Sequence, residues 1–193
     1  MIRKQVGARP TAKRRSVRRI GLGFAESGTH ENMIIYINGS INAGKSTVAS
    51  LLARTLPNTI NIEVDSLRDF AHCLTLEEVI PFCVEDTATL TRSWVQRGFN
   101  VVIGWPISEE DYSHFIHLLG DCPTPVFALT LAPRLEVALT KRGDRKLTDW
   151  EYSRIQFHYS KGTAAPSFGV IIDNSDQTPE QTVQETMNSI NHI

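Results

Sequence analysis

Cysteine is scarce in this chain, and its spacing removes several function classes. Cys73, Cys83 and Cys122 are the only three in 193 residues, too few and too scattered for a disulfide scaffold, and with no C-x-x-C pair to suggest zinc or redox chemistry. They are expected to be reduced core thiols. No apolar run approaches the ~18 residues of a membrane helix, and the basic N-terminus lacks the apolar segment of a secretory signal. The expected location is the cytoplasm, with no membrane partner. His72, His114, His117, His158 and His192 show no metal-ligand spacing and are expected to be surface residues. The body contains no internal repeat and no low-complexity tract.

Neither sign of charge prevails, since the formal net charge is -1. The charge is segregated, however. Residues 1–32 hold eight Lys/Arg against Glu26 and Glu31, which leaves 12 basic and 19 acidic residues from Met33 onward. An acidic body argues against broad nucleic-acid binding, so any recognition of phosphate must be local. Residues 1–32 have little apolar periodicity and are expected to be a disordered basic extension. Three readings suit it: an organelle transit sequence, a nucleic-acid-binding arm, or a leader that is not native because translation begins at Met33.

From Met33 to Ile193 the pattern is one domain. Apolar strands alternate with amphipathic helices, which predicts an α/β fold with a parallel sheet. Five strands are predicted at Met33–Asn38, Thr59–Val64, Asn100–Gly104, Pro125–Leu131 and Gly169–Asp173. Helices are predicted over Ser46–Leu56, from Leu76 to Arg97 with Pro81 in its early turns, after the Ser108–Asp111 cap, from about Trp150, and after the Thr178-Pro179-x-Gln181 box.

The most specific signal follows the first strand. Gly39-Ser40-Ile41-Asn42-Ala43-Gly44-Lys45-Ser46-Thr47 fits G-x-x-x-x-G-K-[ST], a loop whose backbone N–H groups surround nucleotide phosphates. Glycines at 39 and 44 let the backbone turn and approach the anion. Lys45 offers a point charge to the β- and γ-phosphates, and the Ser46 hydroxyl is a ligand for Mg2+. The implied cosubstrate is ATP, with GTP as the open alternative.

Acceptor chemistry is expected beyond the carboxyl ends of the strands. The second strand closes as Asn61-Ile62-Glu63-Val64-Asp65, and strand alternation predicts Glu63 and Asp65 on one face. Asp65 is the candidate general base for a substrate hydroxyl, and Glu63 the candidate holder of a metal-bound water. A helix cap is the competing reading of Asp65. Arg68 is either an acceptor ligand or a surface arginine. The third strand ends at Gly104-Trp105-Pro106 without the carboxylate on which motor ATPases rely, and D-x-x-G and N-K-x-D signals of switch GTPases are absent. Trp105 is expected in the core. Arg142-Gly143-Asp144-Arg145-Lys146-Leu147 joins two helices as a short lid, with Arg145 the main candidate to neutralise the migrating phosphoryl group and Arg142 the second.

These residues resemble the small P-loop kinases of the shikimate kinase, gluconate kinase and chloramphenicol phosphotransferase group. Val64-Asp65-Ser66-Leu67 is similar to the segment of chloramphenicol phosphotransferase whose aspartate acts as base. Glu63-Val64-Asp65 stands where shikimate kinases carry two aspartates, and Arg145-Lys146-Leu147 resembles their lid motif, with Lys146 in place of proline. The resemblance implies a P-loop NTPase with a five-stranded parallel sheet flanked by helices and a short lid, magnesium ATP, and phosphorylation of a small-molecule hydroxyl; a monomer is the default expectation. The alternatives are a nucleoside or nucleotide kinase, and a P-loop nucleotide-binding ATPase module, including an RNA-linked one.

Overall fold

The computed structural model describes residues 32–140 and 146–192. The chain runs β1 (Ile34–Gly39), α1 (Lys45–Thr55), β2 (Thr59–Ile62), α2 (Val64–Arg68), α3 (Leu76–Val95), β3 (Asn100–Gly104), α4 (Glu109–Leu119), β4 (Val126–Leu131), α5 (Leu135–Ala138), α6 (Asp149–Ser160), β5 (Val170–Ile172) and α7 (Pro179–Asn191). The five strands form one sheet in the order β2-β3-β1-β4-β5, and every pairing is parallel.

β1 is central and buried at all six positions, because a parallel strand with helices on both faces meets no water on either side. Its side chains divide by alternation. Ile34 and Tyr36 pack with Val101, Ile103 and the α3–α4 layer, whereas Ile35 and Ile37 pack with Val102, Leu129, α1 and α7. The path leaving β1 runs to β2 on one side, while the path leaving β3 crosses β1 to reach β4 on the other. This reversal opens a crevice at the carboxyl end of β1.

Local signals set the helix starts. Thr75, Thr148 and Thr178 each form a capping box with Glu78, Glu151 and Gln181, and Ser108 Oγ accepts from Asp111 N at 3.1 Å. Pro81 lies in the second turn of α3 without breaking it.

Several predicted features shift. β2 stops at Ile62, and Glu63 becomes the N-cap residue of α2, so the expected strand alternation of Glu63 and Asp65 does not exist. The helix predicted ahead of the Arg142–Leu147 segment is a single turn, α5. Cys83 is buried in the core, but Cys122 is half-buried and Cys73 is exposed. Trp105 is buried within the α3–α4 cluster, as its expected core placement requires. The expectations for residues 1–31 and for Arg142 and Arg145 fall outside the described residues. No described helix is long and apolar enough to cross a membrane.

Candidate active site

The loop between β1 and α1 occupies the crevice. Gly39 closes β1 at φ 141°, where an added Cβ would stand 2.5 Å from the Leu131 carbonyl oxygen. Gly44 caps α1 at φ 98° with no side-chain hydrogen bond to the helix. The first-turn N–H groups of α1 are therefore left for an outside acceptor, at the positive end of the helix dipole. Asn42, at φ 63°, donates through Nδ2 to the carbonyls of Ala138 at 2.7 Å and Thr140 at 2.9 Å. Asn174, from the loop after β5, donates to the Ala43 carbonyl at 2.9 Å. The loop is thus tied to α5 on one side and to the end of β5 on the other.

Lys45 is buried at the head of α1, and its Nζ donates to the Ser40 carbonyl at 2.7 Å. Burial pushes its pKa down to about 8, against the upward pull of the Asp65 carboxylate. The ammonium is charged at neutral pH but held at reduced solvation, ready to exchange a carbonyl partner for an anion.

Two clefts flank this loop. One, of about 740 Å³, runs between the start of α1 and the loop after β5, with Thr47, Val137, Gln177 and Pro179 in its wall. The other, of about 590 Å³, lies toward α2, the turn after β3 and α6, with Asp65, Arg68, Trp105 and Arg154 in its wall. Asn42, Lys45 and Ser46 line both. A ligand in each cleft would meet at Lys45 and Ser46.

The predicted residues divide accordingly. Asp65 sits in the first turn of α2, is not its cap, and faces the second cleft with Arg68 Nη1 3.4 Å from its carboxylate. Glu63 lines neither cleft, and its carboxylate accepts from Asn61 Nδ2 at 2.6 Å. The early end of β2 is the reason, since the turn into α2 aims residues 63 and 65 differently. Arg68 belongs to the cleft wall rather than to the bare surface.

Sequence reading predicted the helix α6 from about Trp150 but missed its place in the cleft wall. Trp150, Arg154 and His158 are spaced i, i+4, i+8 and share one helix face toward the second cleft. The expectation of a surface histidine fails for His158, which is buried with Nδ1 3.2 Å from Ser40 Oγ. Burial pushes its pKa down to about 4, reinforced by Arg154 and Lys45, so it is a neutral imidazole at neutral pH. The signal available was that spacing behind the Thr148-x-x-Glu151 box.

No family model matches the sequence, and no curated protein does. Solved structures do match in fold. The APS kinase of Mycobacterium tuberculosis in complex with AMPPNP and APS is 14% identical, with 83% of this chain and 98% of that chain covered and a TM-score of 0.61. The fold is that of a P-loop NTPase. A sugar kinase from Janibacter sp. is 17% identical over 83% of this chain and 95% of that one, with a TM-score of 0.60. Shikimate kinase from Aquifex aeolicus is 20% identical over 83% and 97%, with a TM-score of 0.51. At such identities the likeness establishes the architecture of the P-loop NTPase domain and leaves the substrate to be argued from the site.

Proposed function

We propose that this chain is a kinase that transfers the γ-phosphoryl group of ATP to a hydroxyl of a small molecule. One observation carries the reading: two separate clefts converge on the same Lys45–Ser46 pair, as a donor and an acceptor must to exchange a group between them. The kinases among the structural neighbours support it by fold.

The residues divide the work. Gly39 to Thr47 form the phosphate cradle, in which the uncapped first turn of α1 and the partly desolvated Lys45 ammonium neutralise developing charge. Asp65, exposed to the acceptor cleft, accepts the proton of the attacking hydroxyl, and Arg68 orients its carboxylate. Arg142 and Arg145 remain the proposed cations that meet the migrating group from the chain between α5 and α6. For magnesium, the exposed Ser46 hydroxyl is a suitable hard donor, and among the described residues no cluster of three acidic, His or Cys side chains competes with it. Bound there with phosphate and water, the ion would supply charge neutralisation on the phosphate oxygens.

Calorimetry with AMPPNP in the presence and absence of Mg2+ tests the donor side. Magnesium-dependent binding that Lys45→Ala removes is expected, and its absence would defeat the reading. A nucleoside monophosphate acceptor would usually meet several free arginines, and of the two arginines in this cleft wall Arg68 is already paired with Asp65 and Asp69, which leaves Arg154 alone.

A further inference from the structure

The acceptor cleft has a composition that narrows its ligand. Trp150 and Phe157 are 56% and 43% exposed although large and apolar, and both face this cleft, above a floor of buried Trp105 and Ile107. Its polar groups are mostly engaged. Ser108 Oγ donates to Asp111 at 2.6 Å, Glu151 accepts from Thr148 N at 2.8 Å, Asn42 is held by two carbonyls, and Asp65 pairs with Arg68. A polyol needs many uncommitted donors and acceptors, and this wall has few.

One cation is left over. Among the described residues Arg154 makes no ion pair with a carboxylate, and its guanidinium carbon lies over the Phe157 ring, 4.8 Å from its centre, with Lys161 Nζ 5.9 Å from the same ring. That contact holds the planar group in place while its N–H edge stays available for a planar anion. Arg154 lines the acceptor cleft and not the donor cleft. Resting on the kinase reading above, we propose that the acceptor is a compact aromatic alcohol carrying an anionic group, with the ring against Trp150 and Phe157, the anion on Arg154, and the hydroxyl toward Asp65.

The test uses the full chain saturated with magnesium AMPPNP and three probes followed by calorimetry: 4-(hydroxymethyl)benzoate, its methyl ester, and the saturated 4-(hydroxymethyl)cyclohexanecarboxylate. The aromatic acid is expected to bind about ten-fold or more tighter than either comparison, the scale of one charge-assisted contact. Arg154→Gln should bring the acid down to the ester while AMPPNP affinity holds, and Trp150→Ala should erase the advantage over the saturated acid. Equal binding of acid and ester, or no binding of any probe, overturns the proposal. So does Arg154→Gln weakening AMPPNP instead, which would assign the arginine to the donor. If the acid binds as stated but AMPPNP does not, the kinase reading fails and the anion subsite stands.

Discussion

His158 Nδ1 and Ser40 Oγ share a hydrogen bond of 3.2 Å, joining α6 to the phosphate loop across 118 residues of sequence. The carbonyl of the same Ser40 receives Lys45 Nζ. A neutral imidazole buried beside two cations therefore supports the loop residue that parks the lysine.

That burial sets a pH response. The His158 pKa is lowered in the folded chain, so below about 6.5 the unfolded chain binds the additional proton first, and stability is lost as pH falls from there toward about 4. Thermal melts of wild type and His158→Gln across this window should show a shallower acid loss in the variant. Parallel pH profiles would refute the assignment.

Lys45 follows the same sign in a higher pH window. Its pKa is lowered from 10.5 to about 8, so the folded chain resists charging it, and stability should rise with pH between about 8 and 10.5. Lys45→Met should melt higher than wild type at pH 7, by at most about 3 kcal/mol on the basis of that shift and less the hydrogen bond to Ser40. Nucleotide binding should fall at the same time, the exchange of stability against function expected at a charged site.

Asp65 is exposed and lines the second cleft, so replacing it is expected to leave the fold intact. Asp65→Asn should leave magnesium AMPPNP affinity nearly unchanged and reduce kcat ~100-fold or more, the usual scale of general-base assistance. Full kcat in the variant would remove Asp65 from its role.

Gly39 offers a structural test of the cradle. With φ at 141° and the Leu131 carbonyl 2.5 Å from any Cβ, Gly39→Ala must displace β4 or the loop. A loss of at least about 2 kcal/mol in denaturant unfolding is expected, in the range for strain at a special backbone position. Wild-type stability would show that the crevice is more yielding than its geometry implies.

Much of this fold was legible along the chain because its determinants are local. Short apolar runs between turn residues marked five strands, and the Ser108–Asp111 cap and the Thr178–Gln181 box marked two helix starts. The phosphate loop was legible for the same reason, since glycine freedom, a lysine and a hydroxyl act within nine consecutive residues. Glu63 and Asp65 mark the limit: whether a strand continues for two more residues depends on its β3 partner, and pairing stops at Ile62 with Ile103. The second cleft lay beyond local signals altogether. Trp105, Asp65, and the α6 pair Arg154 and His158 come from three separate segments, and the role of each follows from burial and neighbours that exist only once the sheet has brought α6 against the loop after β1. Spacing along the sequence determined the cradle for phosphate; the low dielectric and shape that neutralise His158, loosen the proton of Lys45 and leave Arg154 facing an aromatic cleft were decided by the packed structure.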